Sequence, residues 1–212
     1  MATINSVLGE IDSKDLGFTL MHEHVMVAAS GLSIHYPDLL GPNREERAIE
    51  CLKTAKAHGI DTMLDATTFD LGRDPALLKT VAQASGVNLI NVTGWWLDVP
   101  RFMQGVGANQ MADEFIKDLT EGFRGTDIKA GMLKCAADFE GVTPPLETMA
   151  RAVARAHLQT GVPIMVHSYP TGQVAHRQIA IFKEEGVDLG RVKIDHSNDT
   201  TDTEHLKWIL DQ

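Results

Sequence analysis

Strand-like and helix-like segments alternate six times along this chain of 212 residues, and this alternation restricts the folds open to it. Each apolar run is followed by a segment of helical periodicity, which is typical of βαβ units and a parallel sheet. No linker or change of composition interrupts the pattern, so a single domain over residues 1–212 is predicted. The predicted strands span residues 17–21, 60–66, 87–93, 130–133, 162–166 and 192–194. The predicted helices span residues 44–58, 74–85, 109–123, 143–160, 172–185 and 203–210.

Two architectures fit this alternation, an open doubly wound sheet and a closed barrel. The open sheet typically binds a nucleotide through a glycine-rich turn after its first strand. Here the first strand is followed by His-Glu-His, and no G-x-G-x-x-G opens a helix. Reactive side chains follow strands one, four, five and six, and only a barrel turns all of these ends toward one axis. A TIM-type (β/α)8 barrel is therefore predicted, of which about six βα units are present in this chain.

Composition and charge exclude several classes of function. The chain is 43% hydrophobic and 23% charged, with a formal net charge of −10 and no basic run. This argues against nucleic acid or an anionic membrane surface as a partner. No apolar stretch approaches the roughly 20 residues that span a bilayer, and no signal peptide is visible. Two cysteines, Cys51 and Cys135, indicate a reducing compartment, and both are expected to pack inside. The predicted location is cytoplasmic.

Four histidines occupy positions that suit metal ligands. His22 and His24 are two apart at a strand end, so the strand period sends both side chains to one face. His167 and His196 each follow a short apolar run at the point where a helix is about to begin. An H-x-H pair alone is weak evidence, but the four positions together favour metal ligation. The other helical histidines are expected at the surface or at helix ends: His58, His157, His176 and His205.

Lys134 ends the apolar run AGML and would be desolvated if it pointed into a barrel. Burial lowers the pKa of a lysine amine, and a neutral amine can react with carbon dioxide to give a carbamate. Two carbamate oxygens could then bridge two metal ions. The alternative is a lysine that extends to solvent, and the residue type alone favours that alternative.

Several stretches together resemble the phosphotriesterase family of the amidohydrolase superfamily, and the resemblance covers essentially the whole chain. The matching stretches are GFTLMHEH, TTFDLGRD, TGWWLDVP, AGMLKCA, QTGVPIMVHS and DHSNDTTD. The resemblance implies a (β/α)8 barrel that holds two divalent metal ions, usually zinc. It also implies a hydroxide between the metals that attacks a small phosphotriester, ester or lactone. The second and third stretches look nearer to phosphotriesterases than to the lactonase branch.

The resemblance also implies a role for each candidate residue. His22 and His24 would hold the more buried metal, and His167 and His196 would hold the more exposed one. Carbamylated Lys134 would bridge the two ions. The other two implied residues are Asp199, which would relay protons away from the site, and Trp96, which would line the substrate pocket.

One departure from the family pattern keeps other readings open. The family's last metal ligand is an aspartate after strand eight, and the six units counted here do not include strands seven and eight. We therefore expect a C-terminally truncated barrel. A second hypothesis is a catalytically inactive truncated barrel with unpaired strand edges, or one completed by a partner, and a homodimer is left open. A third hypothesis is an open α/β binding protein without metal.

Overall fold

The computed structural model describes residues 2–212, which fall into two compact units. The first unit runs to Thr93 and resumes over Lys117–Met132, and the second comprises Gly94–Ile116 and Leu133–Gln212. None of the helices in residues 2–212 has the length and apolar character needed to cross a membrane. The single domain over residues 1–212 stays a prediction.

The first unit contains an antiparallel hairpin and parallel strands. The hairpin joins β1 (Thr3–Ser6) to β2 (Gly9–Asp12) and was not predicted. The parallel strands β3 (Thr19–Glu23), β4 (Thr62–Asp65) and β5 (Asn88–Gly94) pair in chain order. The helices that follow β3 and β4 are α1 (Leu32–His35), α2 (Arg44–Ala57) and α3 (Pro75–Ser85).

Helix α3 shows how local sequence sets an element. The Asp74 side chain accepts a hydrogen bond from the Leu77 N–H, and Pro75 occupies the first turn. The helix ends at Gly86, which adopts a left-handed conformation with φ +73°. Its buried face consists of Leu77, Leu78, Val81, Ala82 and Ser85.

The second unit repeats the strand–helix pattern. Strands β6 (Met132–Ala136), β7 (Ile164–His167) and β8 (Val192–Asp195) pair in parallel. Helix α4 (Ala108–Thr120) precedes β6, and the helices after the strands are α5 (Pro144–Thr160), α6 (Ala175–Glu185) and α7 (Thr203–Leu210). Arg151 of α5 joins this helix to α6 through ion pairs with Glu184 at 2.6 Å and Glu185 at 3.0 Å.

All six predicted helices are confirmed, but two strands are displaced: β3, predicted at 17–21, lies at Thr19–Glu23, and β6 is displaced as well. Strand β6 was predicted at 130–133 and lies at Met132–Ala136. Ala130 lies before the strand, and its carbonyl oxygen accepts a hydrogen bond from the Asn5 side chain at 2.9 Å. Lys134 therefore lies in the middle of the strand and not at its end.

The burial of several residues differs from expectation. Cys135 is buried beside Lys134, as predicted, but Cys51 is exposed on α2 and its predicted packing is wrong. His157 and His205 are buried and not at the surface, but each lies in a terminal turn of its helix, as the helix-end alternative predicted. The His157 ring is accommodated because its Nδ1 lies 2.8 Å from the Val162 carbonyl oxygen.

Gly94 provides a test of close backbone packing within the second unit. Its φ is +117°, and a Cβ at this position would overlap the Lys134 carbonyl oxygen. We expect Gly94→Ala to lower the free energy of unfolding by about 3 kcal/mol or more. Gly105 is the control, because it also has a positive φ of +93° but has no atom within 4 Å of the added Cβ. Gly105→Ala should cost only about 1–2 kcal/mol in urea unfolding, and equal losses would contradict the prediction.

Candidate metal centre

In the first unit, the strand β3 places His22 and His24 next to each other. His22 lies in β3 and His24 follows its last residue. The register of β3 against β4 shifts between Leu20 and Glu23, so His22 lies within an irregular stretch of the strand. The centroids of the two imidazole rings are 5.5 Å apart. The predicted pair is therefore brought together.

The ring of His24 is oriented by two residues at the end of β4. Its Nδ1 lies 2.8 Å from the Thr67 hydroxyl oxygen, and that hydroxyl lies 2.8 Å from Asp65 Oδ1. A carboxylate only accepts, so the hydroxyl donates to Asp65 and accepts from the His24 ring. In a neutral ring with this hydrogen bond, Nε2 of His24 is the nitrogen with a lone pair. The Val25 N–H donates to the same Asp65 oxygen at 3.1 Å and fixes the segment.

In the second unit, parallel pairing places Lys134 and His167 on the same face of the strands. Lys134 pairs with Met165, and His167 lies two residues further along β7. Lys134 is only 1% exposed. The expected alternative, a lysine that extends to solvent, is therefore wrong, because strand β6 buries the whole side chain.

His167 and His196 form the second histidine pair. Their ring centroids are 4.4 Å apart with an interplanar angle of 64°. His196 directly follows β8 and has φ +63°, a left-handed conformation that non-glycine residues rarely adopt. Such strained residues occur often at functional sites, where they direct a side chain that regular structure would point elsewhere.

The electrostatic environment keeps the His167 ring neutral. Burial is the main cause, and the neighbouring His196 adds to it; together they lower the pKa of His167 to about 4, despite the opposing effect of Asp138. A neutral imidazole offers a lone pair to a metal ion at neutral pH. In contrast, burial raises the pKa of the Cys135 thiol to about 12, so this thiol is unsuited as a ligand or nucleophile.

Each histidine of this second pair has a carboxylate on one ring nitrogen. Asp138 Oδ2 lies 3.2 Å from His167 Nε2, and Asp199 Oδ2 lies 3.3 Å from His196 Nδ1. Metal-binding histidines commonly use their second nitrogen in this way. The predicted relay residue Asp199 thus contacts a predicted ligand, and more than half of its side chain is exposed.

Trp96 lies beside the same pair. Its ring meets the His167 ring edge-on, with centroids 5.7 Å apart and an interplanar angle of 87°. The side chain is half-buried. This position suits an apolar wall next to the histidines, as predicted for Trp96.

The donors fit divalent cations by type, but they are gathered in pairs. Within residues 2–212, no group of three or more His, Cys, Asp or Glu side chains is placed to hold a metal ion. Neutral or hydrogen-bonded imidazoles and a buried lysine suit the ions that the sequence implies. The joint use of all five ligands stays a prediction.

Three residues near the histidines were missed in the sequence. Thr67 and Asp138 each lie two residues beyond the end of a strand, and Asp65 is the last residue of β4. These are the positions that face the carboxyl ends of parallel strands. The sequence therefore indicated that Thr67, Asp138 and Asp65 lie near strand ends. It did not indicate their contacts with the histidines, which depend on side-chain geometry.

Known proteins of one family are similar to this chain over nearly its whole length. The model of the phosphotriesterase family matches residues 2–212. A phosphotriesterase homology protein of Mycobacterium tuberculosis is 40% identical over 99% of this chain and 68% of its own length. An aryldialkylphosphatase of Saccharolobus solfataricus is 39% identical over 95% of this chain and 65% of its own length. The solved structure of the phosphotriesterase from Mycobacterium tuberculosis superposes with a TM-score of 0.94, covering 99% of this chain and 68% of that one.

The parallel strands and the superposed structure define a fold of the TIM-barrel class, so the predicted fold class is confirmed, and the family match supports a hydrolase. Within that class, the chain belongs to the phosphotriesterase family. It spans about two thirds of the length of the relatives it matches.

The pKa of His167 gives a test of the second histidine pair. The imidazole signal of His167 should titrate near pH 4 and not near the ordinary value of 6.5. Between these values the unfolded chain binds one proton more, so His167 stabilises the protein above pH 6.5. That contribution is lost as the pH falls toward 4. NMR titration of the metal-free protein, with His167→Gln to assign the signal, measures it. A pKa of 6.5 or above would contradict the burial argument.

Proposed function

We propose that this chain carries the active site of a metal-dependent hydrolase that cleaves phosphotriesters, carboxyl esters or lactones at two divalent ions, zinc being the first candidate. The observation that carries the proposal is the pair His167 and His196, with rings 4.4 Å apart and His167 held neutral by burial. A neutral imidazole next to a second imidazole at the ends of neighbouring strands is an arrangement suited to metal binding. Family membership adds independent support.

The ligands under this proposal are those that the sequence predicted. His22 and His24 would bind one ion and His167 and His196 the other, with the carbamate of Lys134 shared between them. When bound, the two ions would supply an activated water and polarise the oxygen of the substrate.

Lys134 suits the role of the bridging residue because of its environment. An ammonium ion is expensive to bury, and conversion to a carbamate replaces that cation by an anion which two cations can stabilise. The side chain is 1% exposed and shares its strand face with His167 through the pairing of β6 and β7. Both features favour a modified lysine.

Asp199 and Trp96 would serve proton transfer and substrate binding. Asp199 contacts the His196 ring on one side and solvent on the other, so it can accept a proton at its carboxylate and pass it outward. Trp96 presents its ring beside His167 and would hold apolar substituents of a substrate against the site while excluding water.

Phosphotriesters are the first substrates to test. The aryldialkylphosphatase relative supports this order by its name, at 39% identity over 95% of this chain. Family membership and the aryldialkylphosphatase relative do not favour the catalytically inactive alternative.

Removal of His196 tests the function directly. We expect His196→Ala to lower metal occupancy and to reduce hydrolysis of a dialkyl aryl phosphate by about 100-fold or more, since a ligand is lost. His58→Ala is the control, because His58 is an exposed histidine at the end of α2 that bonds the Thr54 carbonyl. Elemental analysis and initial rates give the two readouts. A zinc- or cobalt-loaded protein that hydrolyses no phosphotriester, aryl ester or lactone would refute the proposal.

Carbamylation of Lys134 can be tested by a spectroscopic signal that does not depend on enzyme activity. After incubation with 13C-bicarbonate and zinc, a carbamate carbon signal should appear in the wild-type protein and be absent in Lys134→Met, which keeps the buried volume. Lys193→Met is the control, because burial also lowers the pKa of Lys193, in the same unit. That variant should keep the signal. A signal that disappears in Lys193→Met but remains in Lys134→Met would show that Lys193 carries the carbamate, and would refute the proposal for Lys134.

A further inference from the structure

We propose that Asp138 is a positioning residue that holds His167 in the tautomer with its proton on Nε2 and thereby presents Nδ1 to a divalent cation. This inference rests on the proposed function for its consequence, the binding of metal. Its structural part, the tautomer of His167, can be tested alone.

The Asp138 carboxylate is fixed by its own turn. The residue lies two positions after β6, and its Oδ1 accepts a hydrogen bond from the Phe139 N–H at 2.8 Å. Its carbonyl oxygen accepts from the Gly141 N–H at 2.7 Å, and Gly141 adopts φ +74° to close the turn. These bonds leave Oδ2 directed at His167 Nε2, 3.2 Å away.

The chemistry of the two groups determines where the imidazole proton lies. An ionised carboxylate can only accept hydrogen bonds, so the nitrogen that faces it must carry the proton. A neutral imidazole has one N–H, and the lone pair is then on Nδ1. The His167 side chain is 14% exposed, so water has little access to provide an alternative partner.

An asparagine at this position would reverse the preference with almost no change of shape. If its oxygen keeps the bond from the Phe139 N–H, its NH2 group faces Nε2 and donates to it. The imidazole proton would then move to Nδ1 and block the nitrogen that binds metal. If the amide rotates, the NH2 group opposes the Phe139 N–H and that bond is lost. The comparable exchange beside a catalytic histidine is known to stabilise the wrong tautomer.

The test combines the tautomer of His167 with metal affinity. In the metal-free protein, nitrogen NMR of the imidazole should show Nε2–H for the wild type and a shift toward Nδ1–H for Asp138→Asn. The affinity for Co2+, followed by its visible absorption, should fall about 10- to 100-fold in the variant. Glu140→Gln is the control, because it removes one negative charge from the same turn at an exposed side chain. It should retain wild-type affinity.

Each contrary outcome has a defined meaning. An Nδ1–H tautomer in the wild type overturns the positioning role, and so does an unchanged tautomer in an Asp138→Asn variant that keeps the hydrogen bond from the Phe139 N–H. Equal losses of Co2+ affinity in Asp138→Asn and Glu140→Gln also overturn it, since a general charge effect then suffices. If the wild-type protein binds no Co2+ at all, the proposed function fails while the tautomer result still decides the role of Asp138. A thermal unfolding curve for each variant shows whether the fold is retained.

Discussion

Parallel pairing of β6, β7 and β8 is the constraint on which the second unit and its candidate ligands depend. In-register neighbours on parallel strands point to the same face, so the pairing of Ala136 with His167 and of His167 with Asp195 defines one row of side chains. Lys134 lies one row lower on that face. The helices that follow the strands cover the other face, where Cys135 is buried. The backbone hydrogen bonds between these strands are therefore sufficient to place the candidate ligands on one face, whatever contacts their side chains make.

This arrangement has an energetic cost that local partners reduce. The buried Lys134 and the largely buried His167 ring both lose hydration, and for His167 this loss favours the neutral form. His167 remains neutral at pH 7 and keeps one ring nitrogen hydrogen-bonded to Asp138. The site thus holds groups that are poorly solvated but well oriented. Groups of this kind gain more from a bound cation than hydrated groups at a surface would.

The sequence was sufficient to predict features that follow from periodicity. The alternation of strands and helices and the helix ends at Gly86, Gly161 and Gly186 are recovered, and the four candidate histidines lie at a strand end or within one residue of it. Strand β6 was misplaced because Ala130 and Gly131 have the composition of a strand. Their backbone instead binds Asp118 and Asn91. That outcome depends on tertiary contacts, which a local pattern does not contain.

Burial of single polar residues was the weakest part of the prediction, for a related reason. His157 and Cys51 have similar helical surroundings in the sequence, yet His157 is 6% exposed and Cys51 is exposed to solvent. The His157 ring can be buried because it hydrogen-bonds to the Val162 carbonyl oxygen, which offsets the loss of its hydrogen bonds to water. Likewise, Asp138 could be recognised as a strand-end carboxylate, but its contact with His167 depends on a turn closed by Gly141.

A common arrangement of hydrogen bonds relates the histidines of the two units, but the acceptors differ in charge. A neutral hydroxyl of Thr67 contacts His24, whereas carboxylates of Asp138 and Asp199 contact His167 and His196. A carboxylate polarises the imidazole N–H bond more strongly than a hydroxyl does. The other ring nitrogen then donates its lone pair to a metal ion more strongly. His167 and His196 therefore have the more strongly polarised rings. Because burial lowers the pKa of His167 to about 4, the lone pair of that ring is available to a metal ion at neutral pH.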